Sequence, residues 1–173
     1  KAFNELERVT EDLYRGIDYS KDQKRVMFNL KRMRAAFDVL GQDTANGNQK
    51  AFEILKRSLS SEVLRPFAPD ALGIAAAAGD SKALDILLHY QNWGIYESSA
   101  VSALKRSADG NSPQAVTFMI KVLRDPKLNP LWRQACAGIA GAAKKGNAEA
   151  KKALEICRSE PSISHMLKLA EFQ

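Results

Sequence analysis

Two cysteines, two histidines and six prolines in 173 residues are a thin stock of the groups that staple, ligate or break a chain. Two cysteines allow one disulfide and no disulfide framework, and a chain of this length builds a core without one. Cys136 and Cys157 both fall in helical sequence, Cys136 in an alanine-rich stretch that reads as core, and the expected setting is reducing and cytoplasmic. The histidines, His89 and His165, stand far apart without ligand companions, so no metal site is expected. The metalloprotease His-Glu-x-x-His, paired Cys-x-x-Cys, Gly-rich phosphate loops and the Gly-x-Ser-x-Gly elbow are all missing. Ser102-Ala103-Leu104-Lys105 has the Ser-x-x-Lys form, yet its companions Ser-Asp-Asn and Lys-Thr-Gly do not occur, and we read it as chance. A Cys136–His89 pair is the one nucleophile–base combination left open. The expectation is a protein that is not an enzyme and carries no cofactor.

Long apolar runs are lacking too. Nothing approaches the about 20 residues that cross a bilayer, and the most apolar stretch, 71–78, is short and mostly alanine. No Asn-x-Ser/Thr acceptor occurs. The chain starts on Lys1 rather than Met and no apolar signal region follows, so it reads as a segment of a longer protein. Hydrophobic residues make up 45% and charged residues 27%, an ordinary globular balance. The net charge of +6 admits acidic partners, although 20 acidic residues lie among the 26 basic ones.

What is present is a phrase that returns four times. It runs Gly47-Asn48-Gln49-Lys50-Ala51, Gly79-Asp80-Ser81-Lys82-Ala83, Gly110-Asn111-Ser112-Pro113-Gln114-Ala115 with one extra residue, and Gly146-Asn147-Ala148-Glu149-Ala150. The spacings of about 32, 31 and 36 residues mark repeated supersecondary units. Glycine accepts the left-handed conformation that closes one helix, and the Asn or Asp caps the amides of the next. So short a link forces the two helices to pack antiparallel. Between pairs lie the breakers Ser60-Ser61, Pro66 to Asp70, Asn92 to Gly94, Asp125-Pro126 and Asn129-Pro130.

Helical pairs are therefore expected at 24–46 with 49–59, 70–78 with 81–91, 96–108 with 113–124, and 130–145 with 148–158, Pro130 fitting the first turn of its helix. In the first helix Val26, Leu30, Met33, Phe37 and Leu40 share one face, while Lys24, Arg25, Lys31, Arg32 and Arg34 form a solvated basic side. An amphipathic helix over 1–15 carries Phe3, Leu6, Val9 and Leu13, and Ser20 with Gln23 forms a capping box. A last helix near 162–172 carries Ile163, Met166, Leu167 and Ala170. No segment alternates as a strand, so the class is all-α. One domain over 1–173 is expected, with a capping helix in 1–23, about four helical pairs over 24–158, and a capping or next-repeat helix in 159–173. Gly73, Gly138 and Gly141 inside helices each cost about 1 kcal/mol against alanine, which argues for close packing rather than for propensity.

With these copies in view, residues 35–158 resemble the HEAT-like, armadillo-type α-solenoids, particularly their short bacterial-type repeats. The tetratricopeptide and ankyrin signatures do not occur. The resemblance implies a right-handed superhelix that binds a protein, peptide or sometimes a nucleic acid along a concave face lined by the second helices. Aligned on their opening alanines, those helices put Arg57, His89 and Lys121 in one column, with Ile156 in the fourth copy, and Lys50 and Lys82 in a second. Glu53 and Asp85 are interleaved, which disfavours a surface that tracks phosphates. Tyr90, Trp93 and Tyr96 cluster after the second pair, either as anchors or as packing, and Trp132 is read as packing. The partner-binding set is Lys50, Arg57, Lys82, His89, Tyr90, Trp93 and Lys121, for a protein or extended peptide of acidic character, with the phosphate backbone of a nucleic acid, or service as a structural segment of a larger protein, as alternatives.

Overall fold

A computed structural model describes residues 23–89, 97–159 and 163–164. The expected helix over 1–15, Ser20 of the Ser20–Gln23 capping box, all of the 162–172 helix except 163–164, and the aromatic group of Tyr90, Trp93 and Tyr96 lie outside the described residues. Among the described residues all regular structure is helical. The helices are α1 (Gln23–Ala45), α2 (Gln49–Ser58), α3 (Ala68–Ala77), α4 (Ser81–His89), α5 (Glu97–Asp109), α6 (Pro113–Arg124), α7 (Trp132–Lys144) and α8 (Ala148–Ser159). No described helix is long and apolar enough to cross a membrane.

The repeated phrase does what its chemistry requires. After α1, the Gly47 amide donates to the Thr44 carbonyl and the Asn48 amide to the Asp43 carbonyl, both at 2.9 Å. This is the bond pair of a helix closed by a left-handed residue. The same pair recurs after α3, from Gly79 to Ala76 and from Asp80 to Ala75, and after α7, from Gly146 to Ala143 and from Asn147 to Ala142. Each polar residue then caps the next helix: the side-chain oxygens of Asn48, Asp80 and Asn147 accept from the amides of Ala51, Ala83 and Ala150 at 3.3, 2.8 and 2.9 Å.

The third copy departs from the expected alignment. There the left-handed residue is Asn111, at φ 70°, and Ser112 caps by accepting from the Ala115 amide at 3.4 Å. Asn111 holds the place of the glycine and Ser112 that of the Asn, so the extra residue vanishes. Asparagine is among the few residues that tolerate this conformation, which is why the shift is permitted. The Asn111 side chain also accepts from Asn147 Nδ2 at 3.0 Å, linking two successive turns.

Other boundaries moved for local reasons. α3 starts at Ala68 rather than at 70, with Pro69 in its first turn. Pro130 does not open a helix. It sits inside a 3-10 stretch, Pro126–Leu131, and α7 begins at Trp132. The Trp132 indole N–H donates to the carbonyls of Val122 (3.0 Å) and Asp125 (3.3 Å), which ties this connection to the end of α6 and makes Trp132 a packing residue as expected.

Helices join in antiparallel pairs, α1 with α2, α3 with α4, α5 with α6, and α7 with α8. The first helices also run on as a chain of contacts, α1 on α3, α3 on α5, and α5 on α7, while α2, α4 and α6 each reach the first helix of the next pair. The small residues mark where backbones meet. A Cβ on Gly41 would fall 2.6 Å from the Ala71 carbonyl oxygen, and one on Gly73 would fall 2.7 Å from the Ala103 Cβ. The second helices place Ala51, Ala83, Ala115 and Ala150 in the core, then Leu55, Leu87, Met119 and Leu154 one turn on. Along α1 Met33 and Phe37 are buried, Phe37 meeting Phe67 with ring centroids 5.6 Å apart, and Lys24, Lys31, Arg32 and Arg34 are exposed. Burying such a continuous apolar seam at about 25 cal/mol per Å² is what holds short helices together.

One charged group is half-buried by this packing. Asp109, closing α5, lies where a Cβ on Gly141 would collide with its carboxylate, and it pairs with Lys105 at 3.6 Å. Burial raises its pKa above the ordinary 3.8, with Lys105 and Lys145 opposing. The folded protein therefore keeps this proton to higher pH than the unfolded chain does. The cost of the charge is absent below about pH 3.8 and grows as pH rises through the raised value. Asp109→Asn is expected to lose that pH dependence. Urea midpoints of wild type and variant between pH 3 and pH 7 test it: their difference should move in favour of the variant as pH rises, and a constant difference rejects the assignment.

Candidate functional site

Five of the seven expected binding residues lie on described second helices, and all five are exposed: Lys50 and Arg57 on α2, Lys82 and His89 on α4, and Lys121 on α6. Their shared register follows from the core, since the alanines six positions before Arg57, His89 and Lys121 are all buried. Each alanine therefore points inward and the side chain six positions on, a net of about 240° around the helix at 3.6 residues per turn, points outward. Tyr90 and Trp93 lie outside the described residues.

Two of the five, Lys82 and His89, are tied to neighbouring side chains. Lys82 Nζ donates to Gln49 Oε1 at 3.4 Å and stands 5.9 Å from the centre of the Phe52 ring, so it bridges α4 to α2 beside Lys50. His89 faces Asp85 one turn earlier, its Nδ1 lying 3.1 Å from Oδ1, with both side chains 75% exposed. A pair so exposed contributes little to stability. It does offset any positive charge at that point of the column. Glu53, on the same helix as Lys50 and Arg57, accepts from Gln49 Nε2 at 3.0 Å. The surface is thus mixed in sign, with its basic members at matched places.

His89 and Cys136 do not meet. The imidazole is exposed beside Asp85, whereas Cys136 is fully buried against Cys157 between α7 and α8. The nucleophile–base combination left open by the sequence is excluded on geometry. Among the described residues no group of three or more His, Cys, Asp or Glu is placed to hold a metal ion.

Two cavities appear that sequence reading did not find. The larger, about 540 Å³, has an apolar floor including Leu30, Phe37 and Phe67, and a charged rim of Arg34, Asp38, Asp70 and Arg106. Those four charges come from three first helices, α1, α3 and α5, while the 59–67 connection adds Val63, Pro66 and Phe67 to the lining, and no single window of sequence holds them. The second, about 480 Å³, opens between α6 and α8, with Ile120, Leu123 and Ile163 as floor and Arg124, Glu149 and Lys152 as rim. On α1, Met27, Phe28 and Val39 are 55–60% exposed, and Arg32 covers the Phe28 ring at 5.7 Å, so the basic side of that helix is less purely polar than its charges suggested.

Comparison with protein-family models, with curated proteins and with solved structures finds no match to this chain.

Proposed function

We propose that this chain is a non-enzymatic interaction module: a HEAT-like, right-handed α-solenoid of about four helical pairs that captures a protein or extended peptide of acidic character. The binding surface is the exposed side of the second helices, carried by Lys50, Arg57, Lys82, His89 and Lys121, with Tyr90 and Trp93 as anchors. The observation that supports it most is the matched register of Arg57, His89 and Lys121, exposed above equivalent buried alanines on three successive second helices. Side chains repeated at one register in stacked units meet an extended partner at regular intervals.

The resemblance would set these helices on a concave face. The small residues that draw α1, α3, α5 and α7 together argue for the other arrangement, because the layer with the closer helix spacing takes the inner radius. In this reading the second helices form the wider side. A phosphate-backbone binder is the weaker reading. Asp85 on His89 and Glu53 beside Lys50 interrupt the run of positive charge that counterion release requires.

Charge reversal separates these readings. Arg57→Glu with Lys121→Glu is expected to weaken capture of acidic polypeptides at least about tenfold, since like charges across an interface cost several kcal/mol, while the helical circular dichroism stays unchanged. Equal capture by wild type and variant would remove this surface from consideration. Duplex DNA in a gel-shift series across salt concentrations gives the second arm: sequence-independent binding that falls steeply with salt would favour the backbone reading instead.

A further inference from the structure

Cys136 and Cys157 occupy mirrored places in the last helical pair. Cys136 lies ten residues before the Gly146 turn on α7 and Cys157 eleven after it on α8, so at 1.5 Å per residue both sit about 15 Å from the turn. Antiparallel pairing brings them face to face in the core, at 0% and 3% exposure, and their thiols interact directly. In the other second helices the place of Cys157 is filled by Ser58 and Val122, both buried, so the core has no need of sulfur there. The two differ in access. Cys157 lines the cavity between α6 and α8, and Cys136 lies behind it.

We propose that Cys136 and Cys157 form a redox-active dithiol in which Cys157, at the wall of this cavity, reacts with a hydroperoxide and Cys136 resolves it to a disulfide joining α7 to α8. The Cys157 thiolate attacks one peroxide oxygen. A sulfur–oxygen bond forms, the oxygen–oxygen bond breaks, and the departing alkoxide or hydroxide takes a proton from solvent. Cys157 is now a sulfenic acid and the hydroperoxide is reduced to an alcohol or water. Cys136 then loses its proton and attacks the Cys157 sulfur, and hydroxide leaves as water with that proton. In sum, two thiols and one hydroperoxide yield a disulfide, an alcohol or water, and one water.

The division of roles follows from position and from the contact between the thiols. Cys157 lines the cavity and Cys136 does not, so an incoming peroxide meets Cys157 first, while the contact with Cys157 and burial push the Cys136 thiol up. The thiolate is the nucleophile, so attack starts at Cys157. Arg124 and Lys152 line the same cavity and favour the anion that leaves, with Glu149 as the opposing charge. The product closes a loop that includes the whole α7–α8 turn, so the oxidised protein resists unfolding more than the reduced one.

Hydrogen peroxide titration of the chain, followed by alkylation of remaining thiols, trypsin digestion and mass spectrometry, tests this directly. Wild type is expected to lose two hydrogens and to yield one linked peptide joining the segment with Cys136 to the segment with Cys157, reversed by dithiothreitol, with a rise in melting temperature. Cys136→Ala is expected to give a dimedone-trapped sulfenic acid at Cys157 and no linked peptide. In Cys157→Ser, whose residue matches Ser58, Cys136 is expected to stay unmodified at the same peroxide dose. Absence of the linked peptide in wild type overturns the proposal, as does a sulfenic acid at Cys136 in Cys157→Ser. Circular dichroism before oxidation shows that each variant is folded, and the outcome is independent of whether the second-helix surface binds a partner.

Discussion

Truncating Leu55 to alanine is expected to destabilise the protein by about 2–5 kcal/mol. Leu55 is fully buried on the inner face of α2, where it meets the seam between α1 and α3. Removing its side chain forfeits the transfer energy of three carbons and leaves a void that helices held on two sides do not close. The loss is a large fraction of the 5–15 kcal/mol that domains of this size possess. Leu87 and Met119 fill the same place on α4 and α6 at 1% and 0% exposure, so Leu87→Ala and Met119→Ala are expected in the same range. Leu154→Ala, at 8% exposure in the last pair, is expected to cost least of the four. Urea unfolding of the set checks both the size and the order. A Leu55→Ala loss below about 1 kcal/mol would mean that α2 is not packed as described.

Gly73→Val is the second large effect, and it arises from contact rather than from a cavity. Even a single added Cβ at Gly73 meets the Ala103 Cβ at 2.7 Å and the Ala103 Cα at 2.8 Å. Helix propensity alone favours alanine over glycine by about 1 kcal/mol, but overpacking a backbone-to-backbone contact costs about 1–3 kcal/mol, so the contact wins. Gly73→Ala is expected to be neutral to destabilising, and Gly73→Val to lose about 3 kcal/mol as α3 and α5 are forced apart. Ala103→Gly removes the facing Cβ, so the double variant Gly73→Ala with Ala103→Gly is expected to recover part of the loss, with a coupling energy of about 0.5–3 kcal/mol. Strict additivity of the two single changes would show that the helices do not meet at this point.

The pattern of local elements was legible in the sequence because it rests on near-neighbour chemistry. The helix over 113–124 is read to the residue, since Pro113 suits its first turn and Asp125-Pro126 ends it, although its cap is Ser112 and not the expected Asn111. The all-helical class follows from the same periodicity. Misreadings came where one residue type has two uses. Gly110-Asn111 looks like the other phrases, yet Gly110, the first residue after α5, has no positive φ and packs where a Cβ would fall 2.9 Å from the Ala77 carbonyl oxygen. The left-handed turn therefore passes to Asn111. Pro130 is equally acceptable in a 3-10 stretch and in the first turn of an α-helix, and the Trp132 bonds to Val122 and Asp125 chose the former. Of the candidate surface, the sequence yielded the outward register of Lys50, Arg57, Lys82, His89 and Lys121, because a helical period of 3.6 is enough to turn them about 100–120° away from the buried alanines.

By itself, then, the sequence determined the helices, three of the four caps at the short turns, the pairing across those turns, and which side chains on the second helices face outward. These depend on interactions spanning four residues or fewer, or on loops too short to allow another course. Tertiary structure alone decided which layers meet closely, how Arg34, Asp38, Asp70 and Arg106 come from three helices to rim one cavity, and that Cys136 touches Cys157 and not His89. Those outcomes depend on contacts between residues far apart in the chain, set by how deeply the glycine and alanine positions let one backbone approach another.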